Sequence, residues 1–310
     1  MTPAPERTAR AGEVAPDVRL AVDVEPLDMA ATLWPISHGT GDRTIRIGAY
    51  EAWRASLTPD GPATVRLQRT EHGVAVSAWG PGAAWSAARA ADLVGADDHP
   101  PTFEDGHPLL ASIVRANPGL RMPRTHLPWE ALLPAICEQK VTGREARAAF
   151  QGIVRTYGRP APGPGGLRLP PDPAELASVP YFAFHRFGLE QRRADVIRRA
   201  AELAPRLEGR EPAEVARRLQ GVPGIGPWTV AEVMRVAFGD ADAVSVGDYH
   251  IPSLVAWALA GERKADDARM LELLEPYRGQ RGRVQRLLEV SGIFPERRGP
   301  RMAPRDIRQQ

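Results

Sequence analysis

Apolar and polar residues alternate through the first third of the chain and recur at helical spacing through the rest. Val18-Arg19-Leu20-Ala21-Val22-Asp23-Val24 alternates, as do Thr44-Ile45-Arg46-Ile47 and Thr64-Val65-Arg66-Leu67. Val74-Ala75-Val76-Ser77-Ala78-Trp79 follows a His72-Gly73 turn. A period of two marks a strand with one buried face. These four segments predict an antiparallel sheet, and residues 83–93 predict a helix beside it. Residues 17–105 are therefore expected to form a small α+β domain.

From Pro108 the period becomes helical. Pro128-Trp129-Glu130 opens a helix that places Trp129, Leu132, Leu133 and Ile136 on one face. Thr142-Gly143-Arg144-Glu145 reads as a capping box ahead of Phe150, Ile153 and Val154. Further helices are expected at 173–178, 190–206, 211–220, 227–238, 248–260, 265–275 and 279–291. The Pro- and Gly-rich segment 159–173 is a loop within this region, since helical pattern resumes at once after it. Residues 106–295 are thus a mostly helical domain. Residues 1–16 and 296–310 lack periodicity and read as tails, the second of them basic.

Composition narrows the class. The chain has 310 residues, 43% hydrophobic and 25% charged, which is enough apolar sequence for a sizeable core. Its single cysteine, Cys137, excludes a disulfide framework and a cysteine-ligated cluster. The first residues lack a signal-like apolar run, and none long enough to cross a bilayer follows. A cytoplasmic protein without membrane partners is expected, nucleoid-associated if bacterial. The net charge of +2 hides an asymmetry. Residues 1–105 hold 9 Arg and no Lys against 15 acids, a net −6, and residues 278–310 hold 9 Arg against 3 acids, a net +6. The helical part attracts polyanions modestly.

The most specific segment is Leu219-Gln220-Gly221-Val222-Pro223-Gly224-Ile225-Gly226-Pro227-Trp228-Thr229, followed by Val246-Gly247-Asp248-Tyr249. A Pro-Gly-x-Gly turn would join two helices, with Pro227 in the first turn of the second, where its missing N–H costs nothing. Val222 and Ile225 would pin the turn to the core. Gly224 and Gly226 would leave N–H groups open at a helix N-terminus, a phosphate site that reads no sequence. A plain helix–turn–helix connection would use the same residues. Asp248 would then stand beside whatever the turn holds.

This string resembles the helix–hairpin–helix DNA glycosylase superfamily, and within it the alkylpurine branch of the 3-methyladenine DNA glycosylase II type. Ala135–Thr142 is similar to the family's Ile-x-Gly-Gln-x-Val-Ser segment, Phe187–Ala194 to its Gly-Leu-x-x-x-Arg-Ala helix start, and Glu275-Pro276-Tyr277-Arg278 to its late Pro-Trp-Arg. The resemblance implies an α+β fold, a small antiparallel-sheet domain before a helix–hairpin–helix domain. It implies a monomer acting on double-stranded DNA with damaged bases, and no required cofactor. It also implies a monovalent cation, Na+ or K+, held by the main-chain carbonyls of Gln220, Val222 and Ile225.

By the same resemblance Asp248 is the catalytic acid, stabilising the sugar cation and orienting water. It also suits the N-cap of the helix 248–260, and the two roles are compatible. Trp228 stands where bifunctional members carry a nucleophilic lysine, which implies a monofunctional enzyme that leaves an abasic site. It would stack on an extruded base, or lie in the core. Tyr249 matches a pocket aromatic and Tyr277 stands where the family often has Trp, though both residues also suit a plain core role; Glu232 replaces a pocket tyrosine, free to meet a base edge or a cationic base, or solvent. Val222, Gly224, Gly226, Thr229, Gln139 and Lys140 would meet DNA. Glu138-Gln139-Lys140 replaces the family's Gly-Gln-Leu, so Lys140 takes the position of the inserting wedge. His250 is expected at the surface or in a first helical turn, and the aromatic run 181–187 in the core. A non-catalytic DNA-binding protein keeping the hairpin, or a glycosylase for another damaged base, are the competing readings. Lyase activity on oxidised purines is disfavoured by Trp228.

Overall fold

The computed structural model of the chain describes residues 14–294. The 296–310 tail and residues 1–13 of the first tail lie outside them. Val14 is tied to the sheet, its carbonyl accepting from the Trp79 indole at 2.9 Å.

Five antiparallel strands form one sheet: β1 (Val18–Asp23), β2 (Ile45–Ile47), β3 (Glu51–Thr58), β4 (Gly61–Arg69) and β5 (Gly73–Trp79), in spatial order β1-β5-β4-β3-β2. Four coincide with the alternating segments. β3 does not alternate, because both of its faces are covered. On one face Ala52 joins Val65, Leu67, Val74 and Val76 under Leu33, Leu93 and Val94. On the other, Trp53 stacks on Trp79 at 5.4 Å and packs against Leu167 and Leu169. The 159–173 loop therefore crosses the outer face of the sheet and seals it. Gly163 and Gly165 allow the approach: a Cβ there would fall 2.6 Å from Trp79 and 2.8 Å from Trp53.

The helices are α1 (Met29–Leu33), α2 (Ala83–Ala88), α3 (Ala90–Leu93), α4 (Pro108–Ala116), α5 (Pro128–Cys137), α6 (Gly143–Tyr157), α7 (Pro173–Ser178), α8 (Gln191–Leu203), α9 (Pro212–Gln220), α10 (Pro227–Phe238), α11 (Ile251–Ala260), α12 (Asp267–Leu274) and α13 (Arg281–Ser291). The helix expected over 83–93 breaks at Arg89 into α2 and α3. The capping box forms at α6, with Thr142 and Glu145 satisfying each other's backbone N–H. The aromatic run Tyr181–Phe187 is a short 3-10 helix that sinks Phe184 into the core and leaves Phe182 exposed.

Two helical cores form, and the chain visits the second one twice. The first gathers Leu132, Ile136, Phe150, Ile153, Ile197, Leu219 and Val233 from α5, α6, α8, α9 and α10. The second gathers Leu110 and Ile113 of α4 with Leu254, Met270, Leu274, Val284 and Leu288 of α11, α12 and α13. α4 precedes the first core in sequence, so its packing on α13, which completes this half, is non-local.

Buried ion pairs fasten the sheet to both halves. Arg54 of β3 meets Glu130 of α5 at 2.6 Å, and the other Glu130 oxygen accepts from the Leu57 N–H at 2.8 Å. Asp98, after α3, accepts both guanidinium ends of Arg283 on α13 and the Met122 N–H. Burial pushes the Glu130 carboxyl upward, and Arg54 opposes it. Removing one partner of such a pair strands a charge in low dielectric. Glu130→Ala is expected to cost about 3–5 kcal/mol of unfolding free energy. Arg54→Met with Glu130→Leu should recover most of that, as measured by urea denaturation.

Candidate active site

Helix spacing places the first part of the site. On α10, Trp228, Glu232 and Arg235 follow at i, i+4 and i+7, one polar face on an otherwise apolar helix. That face fronts a cavity of about 640 Å³ between the two helical cores. The sheet domain supplies the Trp34–Thr40 segment of its wall, α5 supplies Leu133 and Glu138, and α13 supplies Gln285 and Glu289.

Asp248 lies on the cavity wall, half-buried, in the loop before α11. Its Oδ2 accepts from the Trp228 indole N–H at 3.1 Å. Its Oδ1 accepts from the N–H groups of His250 at 2.6 Å and Ile251 at 2.9 Å. α11 starts at Ile251, three residues later than the pattern suggests, with His250 in the cap position. Asp248 is therefore no formal N-cap, yet it satisfies the same orphan donors from outside the helix. Three donated hydrogen bonds fix its rotamer, which holds the carboxyl in one place on the cavity wall.

Beneath it runs a buried polar network. Glu232 accepts from the Ser245 hydroxyl at 2.5 Å and from Arg235 at 3.2 Å. Arg235 also reaches Ser245 Oγ at 3.1 Å and Glu289 at 3.3 Å. Gln285 donates to Ser245 Oγ and to Glu289, both at 2.8 Å. Burial alone would raise the Glu289 carboxyl, but Arg235, Arg286 and Gln285 hold it below its ordinary value.

The hairpin between α9 and α10 stands beside the cavity. Ile225 is buried, and Val222 packs on the first core. Gly224 sits at φ 98° with a Cβ position only 2.3 Å from Val196, so the turn needs glycine there. Gly226 has extended backbone and open space where a Cβ would go. The N–H groups of both glycines donate to no acceptor among the described residues. Gln139 bridges the α5–α6 loop to this turn, donating to the Gly224 carbonyl at 3.0 Å and to Thr229 Oγ1 at 2.9 Å.

The structure brings Trp228, Glu232 and Asp248 together at the cavity, and Lys140 to the hairpin side. Trp228 is half-buried on the wall, so the core alternative falls away. Glu232 faces the cavity with one oxygen committed to Ser245 and Arg235, rather than pointing to solvent. Lys140 is exposed, at φ 54°, on a loop held by Gln139. Other assignments change. Thr229 is buried with its hydroxyl accepting from Gln139, so the half-buried Gln139 holds the loop to the hairpin through it. Tyr249 is 90% exposed and stacks edge-on to His250, outside the cavity lining. Tyr277 packs on Phe103 in the second core and accepts from the His107 N–H, also away from the cavity. Sequence reading missed Ser245, Gln285, Glu289 and His38. Gln285 and Glu289, four apart on α13, carry the only local signal.

With this geometry in hand, similarity to known proteins becomes informative. No protein-family profile matches the chain. A probable bifunctional transcriptional activator/DNA repair enzyme AlkA of Mycobacterium tuberculosis is 28% identical over 147 residues, 46% of this chain. The match spans only 29% of that relative's length. A 3-methyladenine DNA glycosylase from Archaeoglobus fulgidus superposes with a TM-score of 0.72 at 18% identity, over 87% of this chain and 97% of its own. A Clostridium acetobutylicum 8-oxoguanine glycosylase/lyase, solved with double-stranded DNA carrying cytosine opposite 8-oxoguanine, gives 0.63 at 16% identity over 89% and 97%. The chain has the fold of the helix–hairpin–helix DNA glycosylases. No helix among the described residues is long and apolar enough to cross a membrane.

The two hairpin glycines should separate in stability. Gly224→Ala is expected to cost about 1–3 kcal/mol, from overpacking on Val196 and a left-handed φ. Gly226→Ala should stay within about 0.5 kcal/mol of the parent. Thermal and urea unfolding of both variants check this.

Proposed function

We propose that this protein is a monofunctional DNA glycosylase that extrudes an alkylated purine and hydrolyses its N-glycosidic bond. The observation that carries the reading is Asp248: an oriented carboxylate on the wall of a cavity roomy enough for an extruded base, beside a hairpin with open backbone N–H groups. As the C1′–N bond breaks, positive charge builds on the sugar. A fixed carboxylate stabilises that charge without reorganising. It also orients a water toward C1′ and takes its proton, leaving an abasic site. Trp228 supplies an aromatic face to the extruded base, and a purine cation binds such a face well. Tryptophan cannot form a Schiff base, so strand cleavage is not part of this chemistry.

DNA is held by its backbone. The N–H groups of Gly224 and Gly226 and the positive end of α10 would receive a phosphate. The carbonyl oxygens of Gln220 and Ile225 accept no hydrogen bond among the described residues, and Val222 O keeps one lone pair beyond the Ile225 N–H at 3.0 Å. These residues fit a bound Na+ or K+, which would add positive field at the turn. Lys140, on its exposed loop, is the side chain offered to the gap left by the flipped nucleotide.

Asp248→Asn is expected to lower single-turnover excision of 3-methyladenine or 7-methylguanine by about 100-fold or more while duplex affinity stays. The parent's product should be an intact strand that breaks only with alkali. Equal rates in parent and variant, or a borohydride-trapped adduct, would remove this mechanism.

Gly226→Asp places a carboxylate where a phosphate would sit, in space that is otherwise open. It is expected to fold normally and to weaken binding to damaged and undamaged duplexes alike. Parent affinity should fall steeply with salt. Fluorescence anisotropy across a salt series checks both, and unchanged affinity in the variant would put the DNA surface elsewhere.

A further inference from the structure

Glu138 is the cavity group that the proposed reaction leaves unused. It sits at the end of α5, on the wall of the same cavity as Asp248. Protein encloses its carboxyl on most sides, yet the side chain keeps 39% exposure through the mouth. Three of the four arginines on the cavity wall are paired with other acids, Arg54 with Glu130, Arg235 with Glu232 and Glu289, and Arg286 with Glu289. His38, on the sheet domain's loop, is an ionisable neighbour 3.9 Å away. That imidazole meets Phe150 edge-on and is half-buried, and the desolvation lowers it to about 4, so it is neutral near pH 7 and supplies no counterion. Glu232 and Asp248 add negative charge from the other walls, and Arg147 of α6 opposes them from a distance beyond a salt bridge.

We propose that Glu138 is the proton donor to the departing base, which extends this site to purines that carry no positive charge. The assignment rests on the glycosylase reading above. A cationic alkylpurine leaves as a neutral molecule and needs no acid. A neutral purine leaves as an anion unless a ring nitrogen is protonated as the bond breaks. Here the C1′–N electron pair goes to the base, the Glu138 proton goes to a ring nitrogen, and water adds to C1′ with its proton passing to Asp248. Two carboxyls in one cavity then divide the work by environment: Asp248 is fixed by three donors, and Glu138 accepts no hydrogen bond among the described residues and serves as the acid. Burial first, then Glu232 and Asp248 against Arg147, push Glu138 up to about 7, so a large fraction holds its proton near neutrality. The open mouth lets solvent restore that proton after each turnover.

The test uses the full chain and two duplexes, one with hypoxanthine, which is neutral, and one with 7-methylguanine, which is cationic. Glu138→Gln keeps shape and polarity and removes the acid. It should slow single-turnover release of hypoxanthine by on the order of 100-fold and leave 7-methylguanine within about 3-fold. In the parent, hypoxanthine release should decline as pH rises through about 7, in step with the protonated fraction of Glu138, and this decline should vanish in the variant. Release of 7-methylguanine should lack it in both. Equal slowing of both bases would make Glu138 a structural residue and overturn the assignment. So would a parent that releases 7-methylguanine but never hypoxanthine. Release of neither base by the parent would overturn the glycosylase reading itself, and the acid with it.

Discussion

The site depends on one buried polar knot, Arg235 with Glu232, Ser245, Gln285 and Glu289. It joins α10, at the edge of the first helical core, to α13 and the Ser245 loop of the second. The two halves share little else at this depth, because a cavity lies between them. Charges so deep cost several kcal/mol each to desolvate, and only a closed set of partners offsets that cost. The geometry of the knot is therefore narrow. It fixes how the loop 245–250 leaves Ser245, and so where Asp248 points.

A second clamp sets the other edge of the site. Gln139 uses both of its N–H donors to tie the α5–α6 loop to the hairpin. Glu138 and Lys140 flank that residue on either side. One faces the cavity and the other faces outward, so a single tether sets both the inner acid and the exposed lysine. Lys140 itself sits in the left-handed backbone region, at φ 54°.

The sheet domain is part of the cavity and not a separate module. Asp42 accepts from the N–H of His38 at 2.9 Å and from both the N–H and hydroxyl of Thr44 at 2.8 Å. This holds the loop before β2 against α6, where Gln151 donates to the His38 carbonyl. Trp34 and His38 thereby wall a space whose floor comes from residues more than a hundred positions away.

The sequence by itself determined the strands with one solvent-facing side, the helices with an apolar stripe, the capping box at Thr142 and the turn 221–226. Each rests on a period or a backbone preference that neighbouring residues impose. It also singled out Asp248, since the glycine turn and the carboxylate lie within one short stretch. Tertiary structure alone decided the rest. β3 shows no alternation because a distant loop covers its second face. Tyr249 and Tyr277 carry aromatic rings like any pocket residue, and only packing sends one to solvent and the other to a core. Glu138 reads as an ordinary helix-end glutamate until His38, Glu232 and Asp248 are brought around it. Its chemistry is set by burial and by charges distant in sequence, and neither leaves a mark on local periodicity.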